Sequence, residues 1–373
     1  MTDPTPESSW CEISLPAISR NLSHALDRLP KDTQLCAVVK ADAYGHGIEN
    51  VVPLLIAQDV SYIGIASNAE ARAVRDLGYS GRILRLRMAT PQEVENALDC
   101  HVEEMVGSLT AMRSLLQTLG QAALPRLHIS LNADGMSRDG LELSTAQGRD
   151  ACLKILDLAQ NRVAGLCTHF PSNLAADLAA SIARFQKDQS WIFDHSPLRR
   201  NDVLIHAGST LTLCSGQDPK TDVMRCGAIL YGIAGLRPDF QSTLALKSRV
   251  ISVGKYPKGS TIGYDRTTCL PQDKVLASIA LGYANGYCRQ LSGCGEVLIH
   301  GQRLPVMGKI SMNTIVVDVT TLPDVAIGDE VVAFGQQGNQ AIDAQGIEHL
   351  TGTIMADLFS DWGQRNPRIV RQG

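Results

Sequence analysis

The chain has 373 residues, 44% of them hydrophobic, enough to build a large core and to divide into one big domain and a smaller one. Its formal charge of −4 comes from acids and bases mixed along the whole length, with no run of lysine and arginine, which excludes a nucleic-acid or membrane footprint and points to a small-molecule partner. No window reaches the roughly 18 to 20 apolar residues of a membrane span, and MTDPTPESSW lacks the basic start and apolar stretch of an export signal, so a cytoplasmic protein is expected, or a periplasmic one whose signal has been removed.

In chain order, WCEISL (residues 10–15) is a short strand ahead of the first helix, LPAISRNLSHALDRL, and is a candidate partner for strands near the C-terminus. From about residue 36, β-branched-rich runs alternate with amphipathic segments: CAVVKA then GIENVVPLLIAQ, YIGIAS then NAEARAVRDLGY, RILRLR then TPQEVENALDC. VEEMVGS and LTAMRSLLQTLGQA follow, then RLHISL and STAQGRDACLKILDLAQ, RVAGLCTHF and SIARFQKDQSWIF, VLIHAG, and finally MRCGAILYGI. Eight parallel strands with helical crossovers in about 200 residues fit an α/β chain with a (β/α)8 TIM barrel better than an open doubly wound sheet. After about residue 240 the helical period gives way to strands and turn residues, as in LKSRVISVGKY, GEVLIHG and GDEVVAFG, which predicts a compact β domain. The expected division is a barrel over 1–238 and a β domain over 239–373. The ten cysteines show neither a Cys-x-x-Cys pair nor a zinc spacing, so most are expected as buried thiols and no metal site is predicted.

A barrel carries its chemistry at the C-terminal ends of its strands. Lys40 closes the first such strand, Asn132 to Arg138 follow the fifth, His169 ends the sixth and Ser209 follows the seventh. By position alone a strand-end lysine is more often a solvated residue. In a partly desolvated pocket, however, its amine loses basicity and can attack an aldehyde, and the glycines of YGHG let the backbone approach a ligand closely.

AVVKADAYGHG (37–47) resembles the pyridoxal-phosphate signature of the alanine racemase family, and the rest of the chain agrees with that family in order, a barrel followed by a β domain. The resemblance implies that Lys40 forms the Schiff base with pyridoxal 5'-phosphate and that Tyr44 lies against the cofactor's phosphate. In HAGST it implies a phosphate-binding Ser209, and in VMRCGAILYG backbone N–H groups from Gly227 and Ala228 with Tyr231 closing that side. Taken alone, HAGST reads as a strand-end turn and CGAILYG as a buried strand. Arg225 would face the pyridine nitrogen; an arginine donates hydrogen bonds without giving up its proton, which keeps the ring nitrogen an acceptor and favours returning a proton to Cα over transamination. Racemisation needs a base on each face of Cα, and the resemblance makes Tyr264 of IGYDRT the second, with His169 of CTHF among the groups supporting its phenolate. In the family this tyrosine reaches the other subunit's site, which implies a homodimer acting on an amino-acid substrate. Arg138 of NADGMSRDGL matches an arginine near the cofactor ring oxygen and the substrate carboxylate, and Ser311, Met312 and Asn313 of GKISMNT match the segment that approaches the substrate.

The chain departs from the family pattern at three places. LNADGMSR has no lysine where many alanine racemases carry a carbamylated one, so the support for Arg138 must come from elsewhere, with Asn132 or a bound anion as candidates. Asn313 stands where an aspartate is common, and Ala356 where alanine-restricted relatives carry a tyrosine that narrows the entrance. These features resemble the broad-specificity amino-acid racemases, so an isomerase accepting side chains larger than methyl is expected. The nearest alternative is an alanine racemase restricted to alanine and serine and supplying D-alanine for the cell wall. A pyridoxal-phosphate decarboxylase lacks support in a catalytic cysteine or glycine-rich phosphate loop, and a non-catalytic cofactor carrier leaves Tyr264 without a task.

Overall fold

The computed structural model describes residues 6–172, 174–233 and 239–372, in two compact units. One unit comprises Leu22–Ala41 and Val51–Leu230; the other takes in the described residues up to Asn21, the short segment Asp42–Asn50, and the described residues from Tyr231 onward. The expected boundary at residue 238 lies outside the described residues.

After β1 (Ser9–Ser14), the first unit contains eight strands: β2 (Gln34–Val38), β3 (Tyr62–Ile65), β4 (Arg82–Arg85), β5 (Val102–Val106), β6 (Leu127–Ser130), β7 (Val163–Cys167), β8 (Leu204–His206) and β9 (Val223–Cys226). They close in that order into a barrel, all parallel, with Gln34 opposite Val223 where β2 meets β9. Each of the eight runs read from the sequence supplies one strand. The crossover helices start where a side chain satisfies their first N–H groups: Ser67 and Glu70 form a capping box at Asn68–Asp76, Ser108 accepts from Ala111, and Thr145 from Gly148. Apolar helix faces then pack on the outer faces of the strands, with Met112, Leu115, Ile155 and Phe185 against Val106, Ile129, Leu166 and Ile205.

The barrel interior departs from the branched aliphatic filling usual for this fold. Cys36, Tyr62, Leu84 and Val223 form a small apolar cluster there. Beside it, Glu103, His128 and His206 are almost completely buried and linked to one another. The last apolar run also differs from its reading as a strand. β9 stops at Cys226, and Gly227 to Gly232 form turns, the first closed by the Leu230 N–H on the Gly227 carbonyl at 2.8 Å.

The second unit is built on a sheet whose members are β10 (Leu244–Tyr256), β13 (Lys274–Ile279), β14 (Glu296–Ile299), β15 (Gln302–Met307), β16 (Ile315–Asp318), β17 (Glu330–Gln337), β18 (Gln340–Ile342) and β19 (Arg368–Arg371), together with β1. A separate two-residue ladder pairs β11 (Thr261–Ile262) with β12 (Thr268–Cys269). β1 lies between β10, antiparallel with Ser9 opposite Ser248, and β19, parallel with Cys11 opposite Arg368. Two helices that the sequence reading did not anticipate, Ala344–Thr351 and Met355–Arg365, belong to this unit. Six of the ten cysteines, Cys11, Cys36, Cys100, Cys152, Cys167 and Cys226, are buried thiols. Among the described residues no helix is long and apolar enough to cross a membrane.

Candidate active site

Lys40 directly follows β2, where the Val39 N–H reaches the Gly64 carbonyl at 2.8 Å and extends the ladder to the strand end. The next peptide is fixed by Glu70, whose Oε1 accepts from the Ala41 N–H at 2.8 Å while Oε2 accepts from Ala66 and Ser67 at 2.6 and 3.0 Å. One carboxylate thus holds two strand-end loops in register. The Lys40 amine is depressed below its ordinary range, first by desolvation and then by Arg138 and Arg225, with Glu70 opposing. Lys40 is nonetheless exposed, so the amine is both reachable and easier to deprotonate than a free lysine.

The residues after Lys40 make a left-handed turn. Ala41, Asp42, Ala43 and Tyr44 all have φ between 52° and 55°, a conformation that costs an L-residue about 1–2 kcal/mol each. Within the second unit, side chains hold this turn. Asp42 accepts from the Ile48 N–H at 2.8 Å and pairs with Arg368. His46, fully buried, lies with Nδ1 3.0 and 3.1 Å from the Ala43 and Tyr44 carbonyls. Tyr44 stacks on Tyr231 with ring centroids 4.8 Å apart. Tyr231 is itself fully buried, so it braces the Tyr44 ring and has no surface of its own to present to a ligand.

At the barrel's C-terminal end Arg225 donates to the Thr168 carbonyl at 2.7 Å and to His206 Nδ1 at 2.8 Å, and lies 3.4 Å from His169 Nδ1. Burial, reinforced by Arg225, Arg138 and Lys40, pushes His169 down to about 4, so its ring is neutral at neutral pH and available as an acceptor. Ser209 caps the short helix Thr210–Ser215 and its own N–H donates to Thr212 Oγ1 at 3.2 Å. Among the described residues, the backbone N–H groups of Gly227 and Ala228 meet no hydrogen-bond acceptor, although Gly227 is buried. Two unpaired donors, one of them buried, beside a lysine and an arginine fit an anionic group such as a phosphate.

Asn132 is not the support for Arg138. Its amide donates to Glu142 at 2.8 Å and its carbonyl oxygen accepts from the Ser137 N–H at 3.0 Å, whereas Arg138 pairs with Asp139 at 3.2 Å. Glu142 is the more demanding partner because it also accepts from Ser144 and Arg184, which together hold its carboxyl at about 2.

In the second unit Tyr264 begins a tight turn between β11 and β12 and is 64% exposed. Gly263 at φ 70° makes the entry, and Asp265 and Arg266 both adopt positive φ; Lys309 pairs with Asp265 at 2.6 Å and ties the turn to the sheet. Ser311 and Met312 are held by their carbonyls, which accept from Tyr283 and Ala284 at 3.1 and 2.9 Å, while the Met312 N–H has no acceptor among the described residues. This close approach requires a glycine at 282, where a Cβ would fall 2.3 Å from the Met312 oxygen. Asn313 is exposed, and Ala356 lies partly buried in the first turn of Met355–Arg365.

A cavity of about 730 Å³ opens at the other end of the barrel strands, lined by Arg75, Arg82, His101, Glu103, Arg126 and Arg162 among others. Lys40, Arg225 and His169 take no part in it, and the chemistry of this fold belongs at the C-terminal ends, so we do not place the site there. Sequence reasoning missed Glu70, Glu103, His128 and His206. The two histidines sat inside apolar runs, RLHISL and VLIHAG, where a polar residue inside a strand was the available signal.

Two family models match the chain, "Alanine racemase, N-terminal domain" over residues 13–235 and "Alanine racemase, C-terminal domain" over 243–370. A broad specificity amino-acid racemase of Aeromonas hydrophila subsp. hydrophila is 41% identical over 99% of this chain and 91% of its own. A lysine racemase of Proteus mirabilis is 40% identical over 97% of this chain and 89% of its own. Among solved structures, alanine racemase from Bacillus anthracis with bound L-Ala-P superposes with a TM-score of 0.90 at 26% identity, covering 100% of this chain and 97% of that one. The Bartonella henselae alanine racemase, solved with covalently bound pyridoxal phosphate, has the same fold with a TM-score of 0.85 at 24% identity, covering 98% of this chain and 100% of that one.

Proposed function

The chain belongs to the alanine racemase family, and from that premise we propose that it is a pyridoxal-phosphate-dependent racemase that interconverts L- and D-amino acids with side chains larger than methyl. The observation that carries the breadth of substrate is the full-length match, at about 40% identity, to relatives named broad specificity amino-acid racemase and lysine racemase. Ala356 and Asn313 support the same reading, since a small side chain and a neutral amide stand where narrower enzymes carry a tyrosine and a carboxylate.

The cofactor is proposed on the fit of the donors: an accessible lysine of lowered basicity, two unpaired backbone N–H groups at Gly227 and Ala228, and an arginine that can only donate. When bound, pyridoxal phosphate supplies an electron sink that acidifies the substrate's Cα proton. Lys40 would hold the cofactor through its amine and, when free of it, would move a proton at one face of Cα. Tyr264, supplied by a second copy of the chain, moves a proton at the other face. For an L-substrate Tyr264 takes the proton and Lys40 returns one; for a D-substrate the roles exchange. Ser209, Tyr44, Gly227 and Ala228 would bind the phosphate, with Tyr231 as the brace behind Tyr44. Arg225, which can only donate, would face the ring nitrogen and leave it an acceptor, an arrangement that favours returning the proton to Cα. With Nδ1 toward Arg225, a neutral His169 would carry its proton on Nε2 and donate it to the Tyr264 phenolate, while Arg138 and the Met312 N–H would orient the substrate carboxylate with Ser311 and Asn313 beside it.

Incubating the purified protein with pyridoxal phosphate and L-alanine, L-serine, L-methionine, L-lysine or L-arginine, then separating enantiomers, tests the reading. D-lysine and D-methionine are expected, and Ala356→Tyr should cut them more than D-alanine. Formation of D-alanine and D-serine alone would return the protein to the alanine-restricted branch.

A further inference from the structure

A continuous line of polar side chains runs through the barrel interior to Arg225. Glu103 on β5 contacts His128 Nε2 at 2.7 Å; His128 Nδ1 contacts His206 Nε2 at 2.9 Å; His206 Nδ1 contacts Arg225 Nη1 at 2.8 Å. At its base, Arg82 grips both oxygens of Glu103 at 2.6 Å, and Arg126 lies 3.3 Å away.

The direction of donation follows from the two ends. Arg225 can only donate, so His206 Nδ1 accepts; a neutral His206 then carries its proton on Nε2 and donates to His128 Nδ1. His128 is left with its proton on Nε2, facing Glu103. From the other end, a carboxylate held by an arginine fork can only accept, which demands the same proton on His128 Nε2. Both ends therefore select one pair of tautomers.

Electrostatics agree with that pairing. Burial alone would raise Glu103, but the bonds from His128 and Arg82 bring it down to about 2. Burial pushes both histidines below their ordinary range, against the pull of Glu103 on His128. These directions compete, since a charged His128 would deepen the Glu103 shift; the permanent charge of Arg82 is what anchors the carboxylate when His128 is neutral. The backbone also makes room for the line. On β7, between the strands carrying the two histidines, Gly165 lies opposite His128, and a Cβ there would fall 2.3 Å from His128 Nδ1. A side chain at 165 would block the ring from crossing to β8.

Resting on the reading of Arg225 as the partner of the cofactor ring, we propose that Glu103, His128 and His206 are positioning residues that fix the Arg225 guanidinium through a one-way chain of hydrogen bonds, Arg225 to His206 to His128 to Glu103. A group at 103 that donated would reverse both tautomers and set N–H against N–H at Arg225.

The test labels the histidine rings of the holoenzyme with nitrogen-15 and reads tautomers from long-range proton–nitrogen correlations, alongside the absorbance of bound cofactor and kcat and KM. His128 and His206 are expected as neutral Nε2–H forms. In Glu103→Gln the amide turns its N–H toward His128, because the opposite orientation would set it against two permanently charged donors, Arg82 Nε and Arg126. His206 should then leave that form, the cofactor band should shift, and kcat should fall roughly tenfold with KM little changed. Gly165→Ala should reproduce the spectral change without altering any charge. A charged or Nδ1–H His206 in the unsubstituted protein overturns the chain of donation, as does a Glu103→Gln protein that loses thermal stability alone. The tautomers are read without turnover. Nε2–H forms in a protein that racemises nothing would support the hydrogen-bond chain while refuting the assigned activity.

Discussion

His46 offers the sharpest quantitative test, because its polar partners and its burial ask for opposite charge states. The carbonyls of Ala43 and Tyr44 accept only, so Nδ1 carries a proton, while Nε2 lies 2.7 Å from the Thr243 hydroxyl. That hydroxyl also donates to the Tyr231 carbonyl at 2.8 Å, and its single proton cannot serve both. A charged imidazole would satisfy every partner. Burial nevertheless outweighs the backbone bonds and holds His46 down at about 4. Because the folded value lies below the ordinary 6.5, the unfolded chain takes up the proton first; stability is full above about pH 6.5 and is lost as pH falls toward 4. The whole shift corresponds to about 3 kcal/mol, of which about 2 kcal/mol is already gone at pH 5. Urea unfolding of the wild type and His46→Gln at pH 7.5 and pH 5 isolates this contribution. Only the pH-dependent part of their difference is read, since a chain of two compact units need not unfold in a single transition. The wild type should lose about 2 kcal/mol relative to the variant on acidification. An unchanged difference, or one that favours the wild type at pH 5, would show that the hydrogen bonds win and that the ring is charged.

Tyr264→Phe should lower kcat about 10²–10⁴-fold in both directions and leave cofactor binding intact, measured by chiral chromatography and by cofactor absorbance; turnover within tenfold of wild type would remove Tyr264 from the reaction. Gly45→Ala places a Cβ 2.0 Å from the Phe359 carbonyl oxygen at a backbone with φ 81°, whereas Gly78→Ala at φ 83° meets nothing within 4 Å. By calorimetry both should melt lower, with Gly45→Ala at least roughly 5 °C below Gly78→Ala; equal midpoints would mean that the Phe359 backbone gives way.

The barrel was legible because each strand is a short apolar run set between helical segments whose caps, such as Ser67 and Ser108, are written locally. Lys40 was legible for the same reason, as a charge that closes such a run. CGAILYG misled because its apolar residues are buried in turns, a burial that a strand pattern mimics. The helices Ala344–Thr351 and Met355–Arg365 were passed over in a region dominated by strands, although Asp343 carries a readable cap for the first. The left-handed turn after Lys40 left no trace, since Ala41 to Tyr44 include no glycine and the conformation is imposed by Asp42, His46 and their distant partners. The polar barrel interior was hidden because a histidine two residues into RLHISL carries no sign of the Glu103 carboxylate that receives it.

The position of β1 between β10 and β19 has a consequence for biosynthesis. The strand emerges from the ribosome more than 200 residues before either neighbour, so it must remain unpaired while the entire barrel is made, and the sheet cannot close on that side until Arg368–Arg371 has been added. Any scheme that severs the chain between the barrel and the strands after it would leave the leading fragment with an orphaned edge and the trailing one with a gap. The two halves of the sequence are separable as text but not as polypeptides.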